Sequence, residues 1–157
     1  MIIKGMQKVT LLDYPGRVAC TLFTGGCNFR CPFCHNAPLL TAADEDGMDE
    51  EELLAFLKKR RGLLDGVAVT GGEPLLRPAL PQLLENIKAL GYAVKLDTNG
   101  TFPERLEAVV RAGLADDVAM DIKNNPERYA ETAGVPGLDL TPVFRSVSFL
   151  LRGMVNY

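Results

Sequence analysis

Excess basic charge is the first thing this sequence lacks: Lys and Arg number 17 against 20 Asp and Glu, for a formal net charge of −3. Neutralising phosphates takes a clustered surplus of Lys and Arg, so no nucleic-acid partner is expected. The one basic run, Lys58 to Arg61, closes a segment that opens on Asp49, Glu50, Glu51 and Glu52. Acids at the start and bases at the end complement a helix dipole, which makes the run a solvated helix end. Also missing are any apolar run of membrane-spanning length and, in the opening MIIKGMQKVTLLDYPG, the apolar core and small-residue cleavage site of a signal peptide. These gaps point to a cytoplasmic protein without membrane contact, where structural disulfides are disfavoured. Internal repeats and low-complexity tracts are lacking as well. With 47% hydrophobic and 24% charged residues, disorder is excluded and one domain over residues 1–157 is expected.

What is present is one theme repeated from Arg17 onward: a short β-rich run, a Gly-rich or polar turn, then a helical pattern ending at glycine. That alternation predicts βα units and a parallel sheet. Strands are expected in RVACTLFTGG, GVAVTGGEP, YAVKLDTNG and DDVAMDIK. Helices are expected in MDEEELLAFLKKRRG, LPQLLENIKALG, PERLEAVVRAG and TPVFRSVSFLLRG, with a short helix or turn in NNPERYAETAG. Leu80, Leu83, Leu84, Ile87 and Leu90 recur at helical spacing, and Gly91 stands where a C-terminal cap belongs. In the last helix Thr141 reads as the cap and Pro142 as the first helical position, which puts Val143, Phe144, Val147, Leu150 and Leu151 on the buried face. MVNY then resembles the start of a further strand, so the four-unit sheet is expected to be truncated or completed by a partner, since a bare parallel edge is normally covered; the alternative is a short open sheet.

Cysteine is sparse, four in all, and three of the four crowd into CNFRCPFCHN as Cys27, Cys31 and Cys34. Cys20 lies inside the first predicted strand and reads as a small core residue. Cys31, Cys34 and His35 spell the C-x-x-C-H pattern of haem attachment, but that use wants export and a distant axial ligand, commonly histidine or methionine, and the chain has a single histidine. Structural zinc would find its four ligands in the three cysteines and His35, although adjacent Cys34 and His35 are awkwardly placed to meet one tetrahedral ion. An iron-sulfur cluster suits three thiolates at this spacing and leaves one iron open. On residue chemistry alone the zinc and iron-sulfur readings both stand.

The C-x3-C-x2-C spacing, with Phe33 just before the third cysteine, resembles the radical S-adenosylmethionine (SAM) superfamily. GGEP at Gly71 to Pro74, DTNG at Asp97 to Gly100 and MDIK at Met120 to Lys123 resemble further segments of that superfamily, and all fall at the C-terminal ends of predicted strands, the ligand face of βα folds. CHN after the aromatic residue, with DYPGRVACTLFTGGCNFRCPFCHN as a whole, is similar to activating proteins of anaerobic ribonucleoside-triphosphate reductase, within the glycyl-radical-enzyme activating family. It also resembles pyruvate formate-lyase activators, and the resemblance runs from about Gly5 to Tyr157.

The resemblance implies an α/β fold, a partial (βα) barrel of the radical SAM type with about four βα units, short of the family's six. It implies Cys27, Cys31 and Cys34 as ligands of a 4Fe-4S cluster whose open iron chelates SAM. Gly71, Gly72 and Glu73 would form the methionine-binding motif, the glycines allowing a ligand close to the backbone and Glu73 facing the amino group. Lys123 would meet the SAM carboxylate, with Asp97, Thr98 and Asp121 near the cofactor around a monovalent cation, and His35 and Asn36 as positioning residues. The implied activity is reductive cleavage of SAM to a 5′-deoxyadenosyl radical that takes a hydrogen atom from a glycine of a partner enzyme, with flavodoxin or ferredoxin as electron donor. No further cysteine lies between Cys34 and Gly71, so a single cluster is expected. A radical SAM enzyme acting on a small molecule and a non-enzymatic metal module are the competing classes.

Overall fold

The structure, a computed structural model, describes residues 1–41 and 47–157. Five strands, β1 (Gly5–Thr10), β2 (Ala19–Thr24), β3 (Gly66–Gly71), β4 (Ala93–Thr98) and β5 (Asp117–Met120), form one sheet in sequence order. Strands β2 to β5 run parallel, whereas β1 pairs antiparallel with β2. Helices α1 (Glu50–Lys59), α2 (Leu80–Ala89) and α3 (Pro103–Arg111) are the crossovers, and α4 (Pro126–Ala133) and α5 (Thr141–Leu150) follow β5. Four βα units therefore stand as expected. The antiparallel edge strand is new: half of GMQKVT is exposed, including Val9, and it lacks the apolar alternation that marks the central strands.

Both sheet edges are less bare than a four-stranded sheet would leave them. Strand β1 covers one, and at the other Asn156 bridges parallel to Asp117, its carbonyl accepting from Val118 N at 2.8 Å. MVNY does begin a strand pairing there.

The core lies between the sheet and its helices. Cys20 and Leu22 of β2, Val67 and Val69 of β3, Val94 and Leu96 of β4 and Val118 of β5 point to one face and meet Leu53, Leu57, Leu83, Leu84, Ile87 and Leu106. Each fully buried aliphatic side chain of this kind stabilises the fold by roughly 1.5–3 kcal/mol. Asp49 caps α1, accepting from Glu52 N at 2.8 Å. A second, smaller core of Phe29, Tyr129, Ala133 and Val143 sits under the cysteine loop, where the Phe29 and Tyr129 rings meet edge to face at 6.3 Å.

The inward face of α5 differs from the expected one. Val143, Ser146, Phe149 and Leu150 are buried, Val147 is half-buried, and Phe144 and Leu151 are exposed. Two contacts turn the helix: the Ser146 hydroxyl donates to Gly100 O at 2.7 Å, and Asp139 accepts from Thr141 N at 2.9 Å, so Thr141 is the first helical residue and not the cap. Apolar periodicity cannot register a buried serine that satisfies a turn carbonyl. Among the described residues no helix is long and apolar enough to cross a membrane.

Phe149→Ala should cost about 3–5 kcal/mol in a urea titration, the usual penalty for emptying a buried aromatic site, whereas Phe144→Ala should stay within about 0.5 kcal/mol. Equal losses would restore the face read from periodicity.

Candidate functional site

The cysteine loop leaves β2 at Gly25, and backbone hydrogen bonds clasp it to the exit of β3. Gly72 N donates to Thr24 O at 2.9 Å, Glu73 N to Gly26 O at 2.8 Å, and Gly26 N to Leu39 O at 2.8 Å. Arg77 Nε reaches Gly25 O at 2.8 Å, and Asn36 Nδ2 reaches Gly71 O at 3.3 Å from the loop's far end. Arg30 N donates to Ala133 O at 2.8 Å, which ties the loop's middle to the end of α4.

The two glycines of GGEP serve this clasp. A Cβ on Gly72 would lie 2.0 Å from Gly26 O, and one on Gly71, whose φ is +111°, would lie 2.4 Å from Thr24 N. The close approach anticipated for a ligand is made by the chain's own backbone.

Above the strand ends opens a cavity of about 420 Å³. Cys27, Cys31 and Cys34 line it from the loop, together with His35 and Asn36. Gly71 and Gly72 line it from β3, Asp97 and Thr98 from β4, and Asp121 and Lys123 from the turn after β5. Four segments distant in sequence are thus brought round one space. Glu73 is not in the lining: it is fully buried beneath it, its carboxylate accepting from Leu75 N at 3.0 Å, Thr98 Oγ1 at 2.9 Å and Asn99 N at 2.7 Å. Burial pushes its pKa from 4.5 to about 7, opposed by those three donors.

The charged lining groups are paired within the chain. Lys95 forms an ion pair with Asp97, and Lys123 with Asp121. The Lys123 ammonium also stands 5.9 Å from the centre of the Phe33 ring. Burial disfavours its charge, but the Asp121 hydrogen bond and charge prevail and hold it above its usual range. Both carboxylates expected around a monovalent cation, Asp97 and Asp121, thus carry ammonium partners.

Burial raises the Cys27 and Cys31 thiols, and for Cys27 the nearby Glu73 and other thiols add to it. Such thiols ionise on meeting a cation, with release of protons. Burial takes Cys20 up to about 12, in keeping with an inert core thiol. Among the described residues no three His, Cys, Asp or Glu side chains converge on a single ion. The donor set fits a polynuclear iron-sulfur group: three sulfurs from one loop line the same cavity, and in such clusters each thiolate meets its own iron.

A polar cavity residue, Asn99, escapes a reading of the sequence. Asn99 lines the space and directs its side chain to Cys27, yet in DTNG it looks like any turn asparagine. Its role depends on the clasp that brings two loops together.

The radical SAM superfamily pattern matches residues 21–151. The chain belongs to that superfamily. A glycyl-radical enzyme activating enzyme, so named, from Methanocaldococcus jannaschii is 34% identical over 134 residues, 83% of this chain and 53% of that one. A pyruvate formate-lyase-activating enzyme of Clostridium pasteurianum is 32% identical, across 78% of this chain and 52% of its own. A protein of Thermococcus kodakarensis named as a GTP 3′,8-cyclase is 33% identical, across 93% and 50%. Among solved structures, QueE from Escherichia coli superposes with a TM-score of 0.58 at 16% identity, across 99% of this chain and 91% of that one, which supports the fold. The chain spans about half the length of these curated relatives. The cofactors of the superfamily are a 4Fe-4S cluster and SAM.

Glu73→Gln should cost about 1–3 kcal/mol, because the amide nitrogen would confront a donor that the carboxylate now accepts. With its folded pKa raised, Glu73 keeps its proton between about 4.5 and about 7 while the unfolded chain has lost it, so its contribution to stability falls as pH rises through that window. Urea titrations across the window should show this slope in the wild type and not in Glu73→Gln; parallel curves would refute it. Gly72→Val should unfold the clasp outright, lowering the melting temperature and not only ligand affinity, as thermal melting would reveal.

Proposed function

We propose that the chain, residues 1–157, is the core domain of a radical SAM activase that generates a glycyl radical in a partner enzyme, anaerobic ribonucleoside-triphosphate reductase being the favoured partner. The observation that carries this reading is the convergence of Cys27, Cys31 and Cys34 with the strand ends of GGEP, DTNG and MDIK around one cavity. The names of two relatives, an activating enzyme of glycyl-radical enzymes and one of pyruvate formate-lyase, support the activase class. The CHN that follows Phe33 supports the reductase activators among them.

In this reading Cys27, Cys31 and Cys34 hold the 4Fe-4S cluster, and Asn36, Gly71, Gly72, Asp97, Thr98, Asp121 and Lys123 surround SAM. When bound, the two cofactors supply one-electron reductive cleavage and abstraction of a hydrogen atom. The chain's own residues bind and orient. Lys123 offers a positive charge to a carboxylate in exchange for Asp121. Glu73 positions Thr98 and Asn99 from below and does not touch the ligand. No side chain has to take or give a proton, which suits a cavity lined by one histidine whose ring is exposed. A flavodoxin or ferredoxin in the cytoplasm is the electron donor this scheme calls for.

The similarity to a protein named as a GTP 3′,8-cyclase favours a second reading, radical chemistry on a small molecule. Electron paramagnetic resonance of the anaerobically reconstituted, reduced chain should show a 4Fe-4S signal that changes shape with SAM. Adding the candidate reductase should then yield a glycyl-radical doublet; its absence, with SAM cleavage stimulated by a nucleotide instead, would select the second reading. Alanine at Cys27, Cys31 or Cys34 should abolish the cluster absorbance and iron content, and Cys20→Ala should retain both. A cluster that survives all three single substitutions refutes the ligand assignment.

A further inference from the structure

We propose that Asn99 sets the reduction potential of the cluster by donating an N–H···S hydrogen bond to Cys27, an inference that rests on the cluster reading above. Asn99 is 6% exposed, and the structure leaves its amide a single orientation. Thr101 N donates to Asn99 Oδ1 at 3.0 Å, and a backbone N–H cannot accept, so that atom is the oxygen. Thr101 Oγ1 donates to the same oxygen at 2.7 Å. The two amide hydrogens then point the other way, one to Asn28 Oδ1 at 2.9 Å and one to Cys27 Sγ at 3.9 Å.

Cys27 Sγ also accepts from Phe29 N at 3.3 Å, so two donors face this sulfur. Cys31 differs: its Sγ faces the Ala133 carbonyl at 3.8 Å, a contact a thiol can make and a thiolate cannot. Cys27 and Cys31 are therefore unequal, Cys27 being the one that faces more hydrogen-bond donors. A one-electron reductant of the flavodoxin or ferredoxin class gives up one electron and the cluster takes it, adding negative charge that the sulfurs share. A donor aimed at a ligand sulfur stabilises that reduced form more than the oxidised one and raises the potential.

The same geometry gives GGEP a reach beyond its own loop. Glu73 accepts the Asn99 backbone N–H at 2.7 Å and the Thr98 hydroxyl at 2.9 Å, and so fixes the turn that carries the amide. Asn99 is thus a positioning and tuning residue, held by one motif and acting on another.

The test is a dithionite redox titration of reconstituted protein, followed by electron paramagnetic resonance. Asn99→Ser keeps a turn-forming residue but is too short to reach Cys27. Its ratio of reduced to oxidised cluster at a fixed potential should drop about tenfold, a midpoint about 59 mV lower for a one-electron couple. Thr101→Val removes the hydroxyl that braces both Asn28 and Asn99, and should move the midpoint the same way by less. An unmoved midpoint in Asn99→Ser, with the cluster intact, overturns the proposal. If Asn99→Ser takes up no cluster, a wild-type midpoint in Thr101→Val overturns it and a lowered one upholds it; loss of the cluster in both marks the network as structural and overturns it too. A wild-type chain that holds no 4Fe-4S cluster overturns the proposed function along with it, whereas an unmoved midpoint leaves that function standing.

Discussion

The clasp between the exits of β2 and β3 is the constraint on which the rest of the site depends. Two backbone hydrogen bonds, Gly72 N to Thr24 O and Glu73 N to Gly26 O, join the cysteine loop to the next strand. They require glycine at Gly72, since any Cβ there would collide with Gly26 O. Below them a fully buried carboxylate gathers donors from its own turn and from the end of β4. Burying a carboxylate is costly, and three donors are what make it tolerable. One short motif thereby fixes the relative positions of three strand ends.

Around that constraint the cysteine loop, which has little regular structure of its own, is held on every side. Phe29 inserts into a small core with Tyr129 and Val143, Arg30 N bonds the end of α4, and Asn36 returns to Gly71. A loop that must present three sulfurs at defined positions cannot rely on local hydrogen bonding alone. The packing of α4 and α5 against it supplies the rigidity, and Ser146 extends the same support to the DTNG turn.

The chemistry proposed for this site asks little of the side chains as acids or bases and much of them as a frame. Lining carboxylates are matched by ammonium groups, Asn99 directs donors at sulfur and at the buried Glu73, and Asn36 donates to the Gly71 carbonyl. This distribution suits a cavity whose reactivity is brought in by its cofactors.

The sequence by itself determined the four βα units, because alternating Val and Leu in the strands and the Leu83, Leu84 and Ile87 spacing of α2 carry their periods locally. It also marked the cysteine loop and the GGEP, DTNG and MDIK segments that line the cavity, since cysteine spacing and strand-ending motifs are local patterns. Only the tertiary structure decided what those residues do there. Glu73 faces inward and the GGEP glycines meet backbone because two loops cross at van der Waals distance, a contact that spacing along the chain does not encode. The same applies to β1, whose polar residues pair only because β2 offers a free edge, and to α5, which Ser146 turns away from its apolar face. Asn99 belongs with them: its amide reaches Cys27 across a sequence separation of 72, a juxtaposition created by folding alone.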